Sequence, residues 1–182
     1  EIESIDMGKS AAFARDVDIQ GTVDTLRYFA GWATKLHGRT VEPSLPGNYL
    51  AYTRKEAVGV VGAIVPWNFP LQTMAWKLGA ALATGCTVVV KPAELTSLSA
   101  LRFAELVQEA GIPDGVINIV TGRGSVVGAA MATHPGIDKL TFTGSTPVGR
   151  TVGRAALDEM KRLTLELGGK SPVIVLADAD VK

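Results

Sequence analysis

Six short runs of β-branched and aliphatic residues recur from Val58 onward, and helical stretches separate most of them. The runs are Val58 to Val65, Thr87 to Val90, Val116 to Val120, Leu140 to Phe142, Leu163 to Leu165 and Val173 to Val175. Between them lie Pro70 to Ala83, Ser97 to Ala110, Val126 to Thr133 and Val148 to Leu157. In the second of these, Phe103, Leu106, Val107 and Ala110 follow the i, i+3, i+4, i+7 spacing of an amphipathic helix. Continuous apolar strands are buried on both faces, which a sheet achieves when helices cover each side. The alternation therefore predicts an α/β fold with a doubly wound parallel sheet.

Composition fits that reading and narrows the partners. The 182 residues suffice for one domain with a core, and 47% are apolar but only 6% aromatic. Lys plus Arg and Asp plus Glu both number 18. A neutral chain with interspersed charges argues against a nucleic-acid partner. No apolar run is long enough to cross a membrane. The single cysteine, Cys86, rules out an internal disulfide and points to a reducing, cytoplasmic compartment. No metal site is expected. The start, Glu1-Ile2-Glu3-Ser4, has neither an initiator Met nor a signal-peptide pattern. At the other end, residues Asp178 to Lys182 read as the start of a helix. Both termini read as cuts through a longer protein.

Before the first strand, Ile19, Val23, Leu26, Ala30 and Ala33 predict a helix over Asp18 to Leu36, closed by Gly38. Residues 39–56 differ in character. Pro43, Pro46, Gly47 and Asn48 separate Thr40-Val41 from Tyr49-Leu50-Ala51-Tyr52, as in two strands joined by a loop. The expected organisation is one sheet domain, residues 1–38 and 57–182, interrupted by an arm at 39–56.

Ligands of doubly wound sheets bind outside the carboxyl ends of the strands. Five consecutive strand ends carry polar or glycine-rich residues: Pro66-Trp67-Asn68-Phe69-Pro70, Lys91-Pro92-Ala93-Glu94, Thr121-Gly122-Arg123-Gly124, Thr143-Gly144-Ser145-Thr146 and Glu166-Leu167-Gly168-Gly169-Lys170. Gly144 and Ser145 open a helix, whose N-terminal N–H groups suit a phosphate; an ordinary strand-to-helix turn has the same pattern. Lys91 and Glu94 could hold ribose hydroxyls or form a surface ion pair. The Asn68 amide could donate to an oxyanion or stabilise an Asx turn. Glu166 could act as a general base or accept N–H bonds from the glycine turn after it. The glycines at 122, 124 and 128 resemble a dinucleotide fingerprint with one residue too many. Cys86 begins its strand, at the edge opposite the others, and reads as a small apolar residue.

Taken together, Pro-Trp-Asn-Phe-Pro, Lys-Pro-Ala-Glu, Phe-Thr-Gly-Ser-Thr and Leu-Glu-Leu-Gly-Gly-Lys-Ser-Pro resemble the aldehyde dehydrogenase superfamily in order and spacing. The resemblance spans essentially the whole chain. It implies NAD-dependent oxidation of an aldehyde through a cysteine thiohemiacetal and thioester. By resemblance Asn68 stabilises the oxyanion and Glu166 activates the deacylating water. Lys91 and Glu94 hold the adenosine ribose, Ser145 after Gly144 contacts the pyrophosphate, and Gly124 lies near the adenine. Val65, Pro66 and Trp67 line the cofactor cleft. The arm corresponds to an oligomerisation hairpin, implying a homodimer or homotetramer. The nucleophilic cysteine and the catalytic domain lie beyond this segment. Residues 27–33 and 52–59 look most like phenylacetaldehyde and betaine aldehyde dehydrogenases. The alternatives are a semialdehyde or non-phosphorylating glyceraldehyde-phosphate dehydrogenase, and a non-catalytic dinucleotide-binding fragment or pseudoenzyme.

Overall fold

The computed structural model describes residues 1–180. Short helices α1 (Ile2–Met7) and α2 (Ala11–Phe13) come first. A wide-turned helical stretch, Ala14–Ile19, then leads into α3 (Gln20–Ala30). Strands β1 (Thr40–Val41) and β2 (Ala51–Tyr52) form an antiparallel ribbon with Thr40 opposite Tyr52. The remaining strands are β3 (Val60–Ile64), β4 (Thr87–Lys91), β5 (Ile117–Ile119), β6 (Lys139–Gly144) and β7 (Arg162–Leu167). They make one sheet in the order β5-β4-β3-β6-β7, with every pairing parallel. The helices between them are α4 (Pro70–Ala83), α5 (Leu98–Glu109), α6 (Ala129–Thr133) and α7 (Thr146–Asp158).

The order follows from burial. β3 is apolar on both faces and takes the centre, where helices cover it twice. On one face Val61, Ala63, Val88 and Val90 pack against Leu71, Met74 and Leu78 of α4. On the other, Ile64, Leu140 and Phe142 pack against Met131, Val152 and Ala156 of α6 and α7. α4 begins with Pro70 at its first turn, where the missing N–H costs no helical bond. It stops at Gly85, whose φ of 80° glycine adopts without strain. The chain leaves β3 toward β4 and later returns to the opposite side of β3 as β6. That reversal is a topological switch point, where such sheets open a crevice.

Several boundaries differ from the sequence reading. α3 ends at Ala30, with Gly31 as its cap, instead of continuing to Leu36. Beyond Gly31 no core surface covers Leu36 among the described residues, and it is exposed. Gly38 does not stop a helix; its Cα lies against the carbonyl of Thr53, where a Cβ would collide. Val173 to Val175 form no strand and are exposed. The chain has left the sheet after β7, so among the described residues no neighbouring strand completes their hydrogen bonds. β3 starts at Val60, after Gly59 turns with φ 114°. β5 is an edge strand reduced to three residues. The stretch over 126–133 is a wide turn, Gly124–Gly128, leading into α6. Of the helix start expected at Asp178 to Lys182, residues 181 and 182 lie outside the described residues; Ala179 N–H closes a turn onto Leu176 O at 3.1 Å.

Candidate active site

The switch point opens into a groove of about 1190 Å³, and all ten residues singled out from the sequence line it. Val65 continues β3; it is buried, and its N–H bonds Lys91 O at 3.1 Å. Pro66, Trp67 and Asn68 then turn outward, with Trp67 and Asn68 exposed at the rim. Lys91 ends β4 and is 3% exposed. Its Nζ donates to Pro92 O at 2.8 Å, which uses one of three ammonium donors. Burial pushes the Lys91 pKa down, while the nearby Glu94 carboxylate opposes that shift. Glu94 itself accepts a bond from Gly124 N–H at 3.3 Å.

Across the switch point, Gly144 and Ser145 follow β6. Ser145 is the N-cap of α7, but no side-chain bond caps the helix there. The thirteen-residue helix thus presents N–H groups and the positive end of its dipole to the groove. A Cβ on Gly144 would stand 2.6 Å from the Phe142 ring, so the close turn depends on glycine. Glu166, on β7, pairs in register with Thr143 and is exposed to the groove.

Behind these residues stands a polar wall that is not among the residues expected from the sequence. Leu140 and Phe142 face α6 and α7, so Lys139, Thr141 and Thr143 face the other way by alternation. On β7, Thr164 and Glu166 do the same. Lys77 of α4 donates to Thr141 Oγ1 at 2.9 Å, and Lys139 donates to Thr164 Oγ1 at 2.9 Å. Burial holds the Lys77 pKa down at about 8; Glu166 opposes this and Lys139 reinforces it. A cation so depressed, close to a carboxylate in a groove, is typical of functional sites. Two signals were available. Thr73, Trp76, Lys77, Ala80 and Thr84 fall on one stripe of α4, and polar residues alternate within two strands that read as buried.

Cys86 lines the far end of the same groove. It is buried, 3.4 Å from Thr84 Oγ1, just before β4 begins. Lys91 marks the opposite end of that strand, roughly 16 Å away at about 3.3 Å per residue.

A parallel doubly wound sheet, with an uncapped helix N-terminus at its switch point and Lys91 and Glu94 lining the same groove, defines a Rossmann-like nucleotide-binding architecture. The aldehyde dehydrogenase family model matches residues 1–182, and the chain belongs to that family. It is 55% identical over 181 residues to retinal dehydrogenase 2 of Taeniopygia guttata, covering 99% of this chain and 35% of that protein. It is 53% identical to the putative aldehyde dehydrogenase DhaS of Bacillus subtilis (strain 168), covering 100% of this chain and 36% of that one. The NAD+ complex of an aldehyde dehydrogenase from Bacillus cereus superposes with a TM-score of 0.93 at 54% identity, over 99% of this chain and 36% of that one. The chain thus spans about a third of the length of these relatives.

Proposed function

We propose that this segment is the cofactor-binding part of an enzyme that oxidises an aldehyde to a carboxylic acid with NAD. The supporting observation is convergence: Asn68, Lys91, Glu94, Ser145 and Glu166, from four different strand ends, line one groove at a switch point. The groove fits a dinucleotide. The space where a Cβ of Gly124 would stand is open, and α7 offers uncapped N–H groups. Lys91 and Glu94 would hold the adenosine ribose, with Gly124 beside the adenine. Gly144 and Ser145 would hold the pyrophosphate, and Val65, Pro66 and Trp67 would wall the cleft. When bound, the nicotinamide supplies the two-electron oxidant.

The remaining chemistry falls to the protein. A thiolate adds to the aldehyde carbon, and the Asn68 amide donates to the oxyanion that develops. Glu166 takes a proton from the water that hydrolyses the resulting thioester. Cys86 is buried at the wrong end of its strand, so the thiolate comes from a cysteine outside residues 1–182. The half-exposed Trp76 gives the groove an aromatic wall beside Lys77, in keeping with an aromatic or quaternary-ammonium aldehyde. A single reduced thiol agrees with a cytoplasmic setting. The arm at 39–56 joins subunits of a homodimer or homotetramer.

The test separates the two roles in the full-length protein. Asn68→Ala should slow the first burst of NADH by roughly 100- to 1000-fold, the usual cost of one oxyanion donor. Glu166→Gln should keep the burst and block steady turnover. A Glu166→Gln protein that loses its burst, beside an Asn68→Ala protein that keeps it, would reverse the assignment.

A further inference from the structure

The Asn68 side chain has no hydrogen-bond partner among the described residues, so the turn beneath it sets its direction. That turn is weakly determined from within. Phe69 caps α4 with no side-chain bond, and Pro70 has no N–H to give. Both missing restraints come from the N-terminal segment, Glu3 on α1 and Lys9 in the link to α2, more than fifty residues earlier in sequence. Glu3 of α1 is 2% exposed, and its Oε1 accepts from Leu71 N–H, a long bond of 3.4 Å. Lys9 Nζ sits 3.3 Å from the centroid of the Phe69 ring. The same ammonium is fixed by the buried carboxylate of Asp18, at 2.9 and 3.1 Å. Phe13 lies 6.5 Å from Phe69, ring centre to ring centre.

We propose that Glu3 and Lys9 are positioning residues for the oxyanion donor, clamping the Phe69 to Leu71 turn and thereby aiming the Asn68 amide. The proposal rests on the role assigned to Asn68 above. Stability alone gives little reason for such a cluster. Burying two carboxylates and half-burying an ammonium costs desolvation, and well-packed apolar side chains of similar volume do as well or better. What apolar packing lacks is direction. A cation over a ring face and a carboxylate on a helix N–H each fix an orientation. Asn68 lies between β3 and the two clamped points, at the residues one and three positions after it.

The experiment is a double-mutant cycle on the full-length protein, read as the rate of the NADH burst. Lys9→Met should slow the burst by about 10- to 100-fold, the range expected when a reacting group is misplaced by an ångström or less. KM for NAD should stay within twofold, because Lys91 and Glu94 are not clamped by Lys9. In an Asn68→Ala background the same substitution should have little further effect. Lys9→Arg, which keeps both stacking and pairing, should restore most of the rate. If Lys9→Met does not fold, Phe69→Leu removes the stack while leaving the Lys9–Asp18 pair, and the cycle is run with it. Equal slowing in both backgrounds would overturn the proposal, as would an effect confined to KM. An Asn68→Ala protein with a normal burst would instead defeat the oxyanion role, and this proposal with it.

Discussion

The Glu94 carboxylate accepts the backbone N–H of Gly124 at 3.3 Å, joining the loop after β4 to the loop after β5. The side chain proposed to hold the ribose is thus oriented by the strand next door. A carboxylate fixed at that point accepts hydroxyls and repels a 2′-phosphate. The full-length protein should therefore favour NAD over NADP in kcat/KM. Glu94→Gln should narrow that ratio by at least tenfold; an unchanged ratio would remove Glu94 from cofactor choice.

Lys77 makes stability depend on pH in a definite direction. Its pKa is about 8 in the fold, against 10.5 unperturbed. Between those values the unfolded chain binds more protons than the folded one, so unfolding free energy rises with pH. Below about pH 8 both states hold the proton and the fold carries the full cost of the buried charge. The urea midpoint should climb from pH 8 to 10 for the wild type and flatten for Lys77→Met. A parallel climb in the variant would assign the effect to another group.

The β1–β2 ribbon leaves unpaired edges and exposes Val41, Leu45, Tyr49, Leu50 and Tyr52. Apolar side chains on a two-stranded ribbon are poorly stable in water without a covering surface. Replacing residues 43–49 by a short glycine-rich turn should lower the particle mass of the full-length protein on light scattering. An unchanged mass would exclude the ribbon from assembly.

Residues 1–182 made alone should produce no NADH from aldehydes. Asn68 and Glu166 need a thiolate at the same edge, and the one thiol is at the other. Cys86→Ser should make no difference to this baseline. Turnover above a heat-treated control that Cys86→Ser abolishes would show the buried thiol to be reactive.

The five strands of the sheet, the helix order and the strand ends that line the groove were legible because they depend on period and punctuation. An apolar run bounded by Asn68-Phe69-Pro70, or by Gly144-Ser145, carries its own signal of where a strand ends. Limits set by neighbours were not legible. Val173 to Val175 have the composition of a strand but no partner in the sheet. The helix expected over Asp18 to Leu36 had the right spacing but ends at Ala30, with Gly31 as its cap. The polar stripe of α4 and the alternation in β6 and β7 marked Lys77 only weakly, and the fold alone turned their threonines and Glu166 toward it.

The sequence by itself determined the architecture and the cast of polar residues at one edge, since both follow from local pattern along the chain. Only the tertiary structure decided how those residues are held. It set Glu3 against Leu71 across 68 positions and Lys77 against Thr141 across 64. It also placed Lys9 over Phe69. Such contacts join distant segments that carry no shared periodicity. Their distances exist only once the sheet order and the two helical layers bring α1, α4 and β6 together.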